Sequence, residues 1–209
     1  MDWMQRVSEG IVKGQKKEIA AIAADAVKDG VSASALVDEA VIPAMNAVSE
    51  LWRNQEYYLP EVMRSAATMQ AAMDALKPHL VSGEHGKNVR VAVGTVQGDI
   101  HDIGKNLVAI MLEGAGYRIE NMGVDLPPER FLEAIRGGAE VIGLSSLLTT
   151  SMDGMRNVIE SIEESGLRDQ VKILVGGAPV TEEFAKKVGA DYYADNAADA
   201  VEILNKLFD

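Results

Sequence analysis

The 209-residue sequence contains no cysteine. That excludes a disulfide scaffold and any thiolate metal site, and it agrees with a cytoplasmic location. Positive charge is also in deficit: 20 Lys and Arg stand against 32 Asp and Glu, a formal charge of −12. Affinity for nucleic acid rests on neutralising phosphates with Lys and Arg, so nucleic acid and anionic membranes are not expected partners. No run of about 18 apolar residues occurs, and Met1-Asp-Trp-Met-Gln-Arg6 lacks a basic flank followed by an apolar stretch. A soluble protein that is neither exported nor membrane-bound is expected. Internal repeats and low-complexity tracts are missing too. What remains is ordinary globular material, 47% hydrophobic and 25% charged, enough for two small domains with a sizeable core.

The first 80 or so residues carry helical periodicity throughout. Val7, Ile11 and Val12 suggest one helix; Ile19, Ala20, Ile22, Ala23 and Val27 a second, ending at Asp29-Gly30. Ser32 or Ser34 can cap a third, which carries Leu36, Val37, Val41 and Ile42 and which Pro43 should bend or break. Met45, Val48, Leu51 and Trp52 mark another, and a last runs from Pro60 to before Pro78. The polar stretch Ser82-Gly-Glu-His-Gly-Lys-Asn88 reads as a linker, with a hinge and a domain boundary between residues 84 and 85. His79 and His85 read as solvent-facing. Beyond it, strands are expected at 89–94, 117–122, 140–145, 171–175 and 191–194, with helices after Ile103, Pro128, Ser151, Val180 and Asn196. The expected fold is thus an N-terminal four- to five-helix bundle (1–84) followed by a Rossmann- or flavodoxin-like doubly wound five-stranded parallel sheet (85–209).

In such a sheet the ligand crevice lies outside the carboxyl ends of the strands, which draws attention to the loop Gly98-Asp-Ile-His-Asp-Ile-Gly104 after the first strand. Asp99 and His101 are one residue apart, so in an extended segment their side chains share a side and can hydrogen-bond. A carboxylate on one imidazole nitrogen fixes the tautomer and leaves the other nitrogen as metal ligand or base. The plainer alternative is a loop histidine beside a solvated acid. A phosphate-binding loop is excluded, because five residues separate Gly98 from Gly104 and Asn106 stands where Ser or Thr is required.

Asp99-x-His101-Asp102-x-Gly104 resembles the D-x-H-D-x-G signature of cobalamin-binding domains, and two companion motifs follow in order. Ser145-Ser146-Leu147 is similar to the S-x-L element, and Gly176-Gly177 to the G-G element. Each lies at the carboxyl end of an expected strand. The chain thereby resembles the corrinoid proteins of cobalamin-dependent methyltransferase systems, with methionine synthase's cobalamin module as a relative.

That resemblance implies cobalamin or a related corrinoid as cofactor, bound base-off with its nucleotide tail threaded into the protein. His101 would ligate the cobalt, Asp99 would hold its other nitrogen, and Ser151 would complete the relay. Protonating that relay would loosen the histidine when Co(I) must form; deprotonating it would favour methyl-Co(III). Ile100, Asp102 and Ile103 belong to the same cofactor-binding stretch. The tail would meet Gly104, Gly176 and Gly177, where a missing Cβ permits close approach, and Ser145, Leu147 and Thr149. Plainer readings exist for these as well: a strand-ending turn at Gly176-Gly177, and a helix cap at Ser151. Asp195 and Asn196 are placed near the tail by topology alone. The helical domain resembles the family's cap over the corrin, with Tyr58, Val62, Met63 and Met69 as the cofactor-facing candidates.

No segment remains for a folate or homocysteine domain, and no cysteine for a zinc thiolate site. The implied function is a methyl-carrier subunit, not itself a catalyst, that accepts a methyl group on Co(I) from a donor-specific methyltransferase and passes it to a second methyltransferase. A reductive activating protein is a third implied partner. Methanol, methylamines, glycine betaine and aromatic methyl ethers all stay open as donors. The alternatives are a cobalamin-dependent sensor, disfavoured by the acidic balance, and the small subunit of a carbon-skeleton mutase, disfavoured by the helical domain.

Overall fold

Asp2 opens the first helix, α1 (Trp3–Val12), by accepting the Gln5 N–H at 3.0 Å. The computed structural model of the chain describes residues 2–80 and 86–208. The expected linker therefore falls in large part, with His85 and the 84/85 boundary, outside the described residues. Four further helical segments follow α1: α2 (Lys16–Lys28), α3 (Ala33–Leu36), α4 (Ile42–Arg53) and α5 (Leu59–Leu76). The buried positions of α5 recur at Val62, Ser65, Ala66, Met69, Ala72 and Leu76, one helical stripe, and they pack mainly on α2, whose own stripe is Ile19, Ala23 and Ala26. Small residues on both stripes let the two backbones approach. The last carbonyl of α1 would be left unsatisfied; Tyr57 Oη and Ser65 Oγ donate to Val12 O at 3.0 and 2.9 Å.

Pro43 neither breaks nor interrupts its helix. Residues 33–53 run on without a gap, because Val37–Val41 form a π turn between α3 and α4, with Ile42 N–H bonded back to Val37 O. A proline ring collides with the carbonyl four residues earlier in a regular α-helix. The wider turn just before Pro43 accommodates it while the backbone stays helical.

The second region alternates strand and helix: β1 (Arg90–Val96), α6 (Ile103–Gly114), β2 (Arg118–Leu126), α7 (Pro128–Arg136), β3 (Val141–Ser145), α8 (Met152–Glu164), β4 (Lys172–Gly176), α9 (Glu182–Val188), β5 (Tyr192–Ala194) and α10 (Ala197–Phe208). All neighbours pair in parallel in the order β2-β1-β3-β4-β5. Among the central strands β1 is buried from Val91 onward, as a sheet covered on both faces requires. One core cluster gathers Ala92, Phe131, Ile142, Met155, Ile159 and Ile173. The order reverses between β1 and β3, and that switch point is where a doubly wound sheet opens its crevice.

β2 is longer than its periodicity suggests. Gly123 (φ 100°) and Asp125 (φ 53°) break the alternation, and two register shifts against β1 absorb them so that pairing continues to Val96 and Leu126. The chain divides into two units, Met1–Asn88 with Ile110–Tyr117 and Val89–Ala109 with Arg118–Asp209.

Candidate functional site

Three strand ends of the α/β unit supply the site. After β1, the loop returns on itself so that Asp99 is 1% exposed while the His101 side chain is 47% exposed. Asp99 Oδ1 accepts the His101 backbone N–H at 2.9 Å and lies 2.7 Å from His101 Nδ1. Its other oxygen, Oδ2, accepts from Leu147 N–H at 2.7 Å, Leu148 N–H at 3.3 Å and Ser151 Oγ at 2.9 Å. Burial pushes this carboxyl toward its neutral form, but the donors from His101, Leu147 and Ser151 outweigh it and hold the group well below the usual carboxylate range. Asp99 is therefore a buried anion. It places a proton on His101 Nδ1, so that in the neutral ring Nε2 is the nitrogen with the lone pair, on a side chain that reaches the surface.

The loop is also held by residues that periodicity did not single out. Thr95, fully buried at the end of β1, donates its hydroxyl to His101 O at 2.9 Å. Asp125, in left-handed backbone conformation, accepts Gly98 N–H at 2.8 Å and donates its own N–H to Asp99 O at 2.9 Å. A polar residue in an otherwise apolar buried strand was a signal for Thr95. Nothing local to Asp125 marks it, because its partner lies across a strand pairing.

After β3, Ser151 occupies the first position before α8, yet its hydroxyl makes no capping bond and goes to Asp99 instead. The reading of Ser151 as a simple helix cap is thereby corrected: its backbone is helical (φ −95°, ψ −7°) rather than extended, so its hydroxyl is not placed to accept from the first amides of α8. Ile100, Ile103, Leu147 and Leu148 are 40–74% exposed, so four large apolar side chains stand in water on the same two loops.

Beside them lies a cavity of about 530 Å³. Ile100 to Lys105, Ser145 and Leu147, Gly176 to Ala178, and Asp195 and Asn196 all line it, so the structure brings the three motifs to one place. Thr149 is exposed and does not belong to that lining. The glycines differ in kind. A Cβ on Gly104 would meet nothing within 4 Å, so protein packing does not require glycine there; the cavity does. A Cβ on Gly177 (φ 133°) would lie 1.8 Å from Ser146 O, so this glycine is demanded by the neighbouring backbone whatever the cavity holds. Asn196 Oδ1 caps α10 through Ala198 and Asp199 N–H, and Asp195 accepts from Tyr193 Oη at 2.8 Å. Burial and the Asp195 charge push the Tyr193 hydroxyl up to about 12.

Lys105 is nearly buried and spends its ammonium on Asn106 Oδ1 (2.7 Å) and Asn121 Oδ1 (2.5 Å), tying the first turn of α6 to β2. Burial lowers its pKa and the nearby Asp102 charge opposes that.

In the helical unit the four candidates separate. Tyr58 and Met63 are 66% and 52% exposed, whereas Val62 and Met69 are 0% and 1% exposed. The expectation that Val62 and Met69 face a cofactor is revised: they lie on the packed stripe of α5, where their apolar surface serves the bundle core.

Among the described residues no group of three or more His, Cys, Asp and Glu side chains could hold a metal ion. The site offers one imidazole nitrogen beside a roomy, largely apolar cavity with a glycine-lined floor. That donor set fits a metal whose remaining ligands come with a prosthetic group.

Two family models, both described as B12 binding domain, match residues 89–204 and 3–77. The chain belongs to the B12-binding corrinoid proteins. A dimethylamine corrinoid protein of Methanosarcina acetivorans is 40% identical over 200 residues, covering 95% of this chain and 92% of that one. A cobalamin-binding protein from Desulfitobacterium hafniense is similar in structure, with a TM-score of 0.79, 30% identity and 97% of both chains covered. The methanol:cobalamin methyltransferase complex MtaBC from Methanosarcina barkeri contains a chain matching at a TM-score of 0.88 and 26% identity, with 99% of this chain and 80% of that one covered. The cofactor of the family is a corrinoid, and the Rossmann-like parallel sheet with its helical region is the family fold. No helix among the described residues is long and apolar enough to cross a membrane.

Proposed function

We propose that this protein is a methyl-carrying corrinoid subunit, with residues 1–84 as a helical cap domain and 85–209 as the cofactor-binding domain. The observation that carries the reading is the buried Asp99 carboxylate gripping His101 Nδ1 at 2.7 Å beside the cavity. A bound corrinoid supplies the cobalt that takes up and gives away the methyl group. The chain supplies the rest. Asp99 holds the imidazole in one tautomer and orientation, so that Nε2 is presented as the ligand, and Ser151 shares the Asp99 charge and moderates how strongly the carboxylate pulls on the imidazole proton. Gly104, Ser145, Leu147, Gly176 and Gly177 form the walls for the nucleotide tail. Ile100, Ile103, Leu147 and Leu148 offer apolar surface against which a flat macrocycle loses water. On the helical unit, Tyr58 and Met63 remain as candidates for cofactor contact.

The partners in this reading are a donor-specific methyltransferase, a second methyltransferase and a reductive activating protein. The named relatives favour a methylated amine as donor class, with methanol the donor in the neighbouring complex.

Reconstitution with hydroxocobalamin tests the function. The purified protein, freed of excess cofactor, is expected to retain about one cobalt per chain with a base-off, histidine-ligated visible spectrum. His101→Ala should keep the fold and lose that coordination. A folded wild-type protein that retains no colour would sink the reading, and an unchanged spectrum in the variant would remove His101 as ligand.

A further inference from the structure

Behind Ser151 stands a second hydroxyl that the corrinoid reading does not use. Ser146 is fully buried, and its Oγ lies 2.7 Å from Ser151 Oγ. Counting protons shows what this contact must do. Ser151 has one hydroxyl proton and three oxygens within reach: Asp99 Oδ2 at 2.9 Å, Leu148 O at 3.0 Å and Ser146 Oγ at 2.7 Å. Ser146 also has one proton, with Leu148 O at 3.1 Å and Ser151 Oγ as its acceptors. Two hydroxyl oxygens 2.7 Å apart need a proton between them, since otherwise lone pairs face each other in a dry interior. Three arrangements satisfy that condition: in the first, Ser146 donates to Ser151 while Ser151 donates to Leu148 O, leaving Asp99 without its hydroxyl donor. In the second, Ser146 donates to Ser151 and Ser151 donates to Asp99. In the third, Ser151 donates to Ser146, Ser146 donates to Leu148 O, and Asp99 again loses its hydroxyl donor.

We propose that Ser146 is a positioning residue of the cofactor relay: its hydroxyl donates to Ser151 and thereby keeps the Ser151 proton off Ser146 and free for Asp99. The anionic Asp99 then wins that proton over Leu148 O, because a charge-assisted bond is stronger than one to a neutral carbonyl. Donation from Ser146 polarises Ser151 and strengthens its bond to the carboxylate. The position of Ser146 is set by the end of the neighbouring strand β4. Its N–H donates to Gly176 O at 3.2 Å and its carbonyl fills the space a Gly177 side chain would need. The double glycine thus serves the relay as well as the cavity wall.

The inference rests on the corrinoid reading for its functional meaning, yet the hydroxyl direction can be read without any cofactor. In the apo protein, the Ser151 hydroxyl proton should be visible by NMR as a slowly exchanging resonance coupled to the Asp99 carboxyl carbon. Ser146→Ala should speed its exchange by about tenfold, as expected for losing one buried hydrogen bond, and weaken that coupling. Should the alanine variant not fold, Ser146→Gly removes the same hydroxyl and is read in the same way. In the reconstituted protein, Ser146→Ala should shift the Co(II)/Co(I) midpoint in the same direction as Ser151→Ala and by less, and the double variant should match Ser151→Ala alone, since Ser146 acts through Ser151. An unchanged hydroxyl resonance in a folded Ser146 variant, or midpoint shifts that simply add, would overturn the proposal. Failure to take up corrinoid would fall on the proposed function instead, and the apo measurement would still decide the role of Ser146.

Discussion

The two units hold their candidate residues by different forces. In the α/β unit, Asp99, His101 and Ser151 are fixed by hydrogen bonds of 2.7–2.9 Å, each with a direction and a partner. In the helical unit, Tyr58, Val62, Met63 and Met69 are sorted by burial alone, from 66% exposed to none. Directional contacts tie a residue type to a role, so a short polar motif carries information. Apolar contacts accept many residue types, and the same Val or Met serves a core or a binding face according to which way its helix is turned.

The sharpest way to break this contrast is at the two kinds of glycine. Gly177→Ala forces a Cβ into the Ser146 carbonyl at an unfavourable φ and should cost more than about 4 kcal/mol in chemical denaturation. Gly104→Ala should leave stability unchanged or raise it by up to about 1 kcal/mol, because it replaces a helical glycine over open space. Its effect should appear as at least a tenfold or so loss in corrinoid retention, read by equilibrium dialysis. Equal stability losses at both positions would erase the distinction.

Within the helical unit, Met69→Ala should destabilise by roughly 2–5 kcal/mol, and Met63→Ala by no more than about 0.5 kcal/mol. A reversal of that order would place Met63, not Met69, in the core.

Asp99→Asn tests the directional side, with an expected loss of roughly 2–3 kcal/mol at neutral pH from weakened charged hydrogen bonds. The pH dependence has a definite sign. The folded carboxyl lies below its unfolded value near 4, so its contribution is fully present above about pH 4 and is lost as pH falls through and below that point. A melting-temperature profile from pH 7 to pH 2 should therefore fall less steeply in the variant than in the wild type.

The smallest effect is expected at Tyr193. Its raised value of about 12 means the folded state keeps the proton longer, so stability declines as pH rises from about 10 to 12. Asp195→Asn should bring the ring titration, followed by NMR, back toward about 10 and flatten that decline.

Most of the α/β unit was legible before the structure, since buried parallel strands are short apolar runs and the intervening helices announce themselves by period and by Pro or Gly at their ends. The misses have local causes. Past residue 122, β2 continues through Gly123 and Asp125, whose backbone angles hide a strand from any reading by alternation. Pro43 was expected to bend or break a helix and is absorbed by a π turn, a choice made by the packing of Leu36, Val37, Ala40 and Val41 into the bundle.

By itself, the amino-acid order determined the kind of chemistry: an Asp-x-His loop after a buried strand, followed by serine and glycine motifs at two further strand ends, with too little positive charge for nucleic acid. These are local properties, set by residue type and by spacings of one or two residues. Tertiary structure decided which groups meet. It brought the Ser151 hydroxyl to Asp99, placed Ser146 behind it, and set Gly177 against backbone and Gly104 against the cavity. Those pairings join residues as many as 73 positions apart, as between Gly104 and Gly177 on one cavity wall. They exist because the parallel order β2-β1-β3-β4-β5 brings the ends of β1, β3 and β4 side by side.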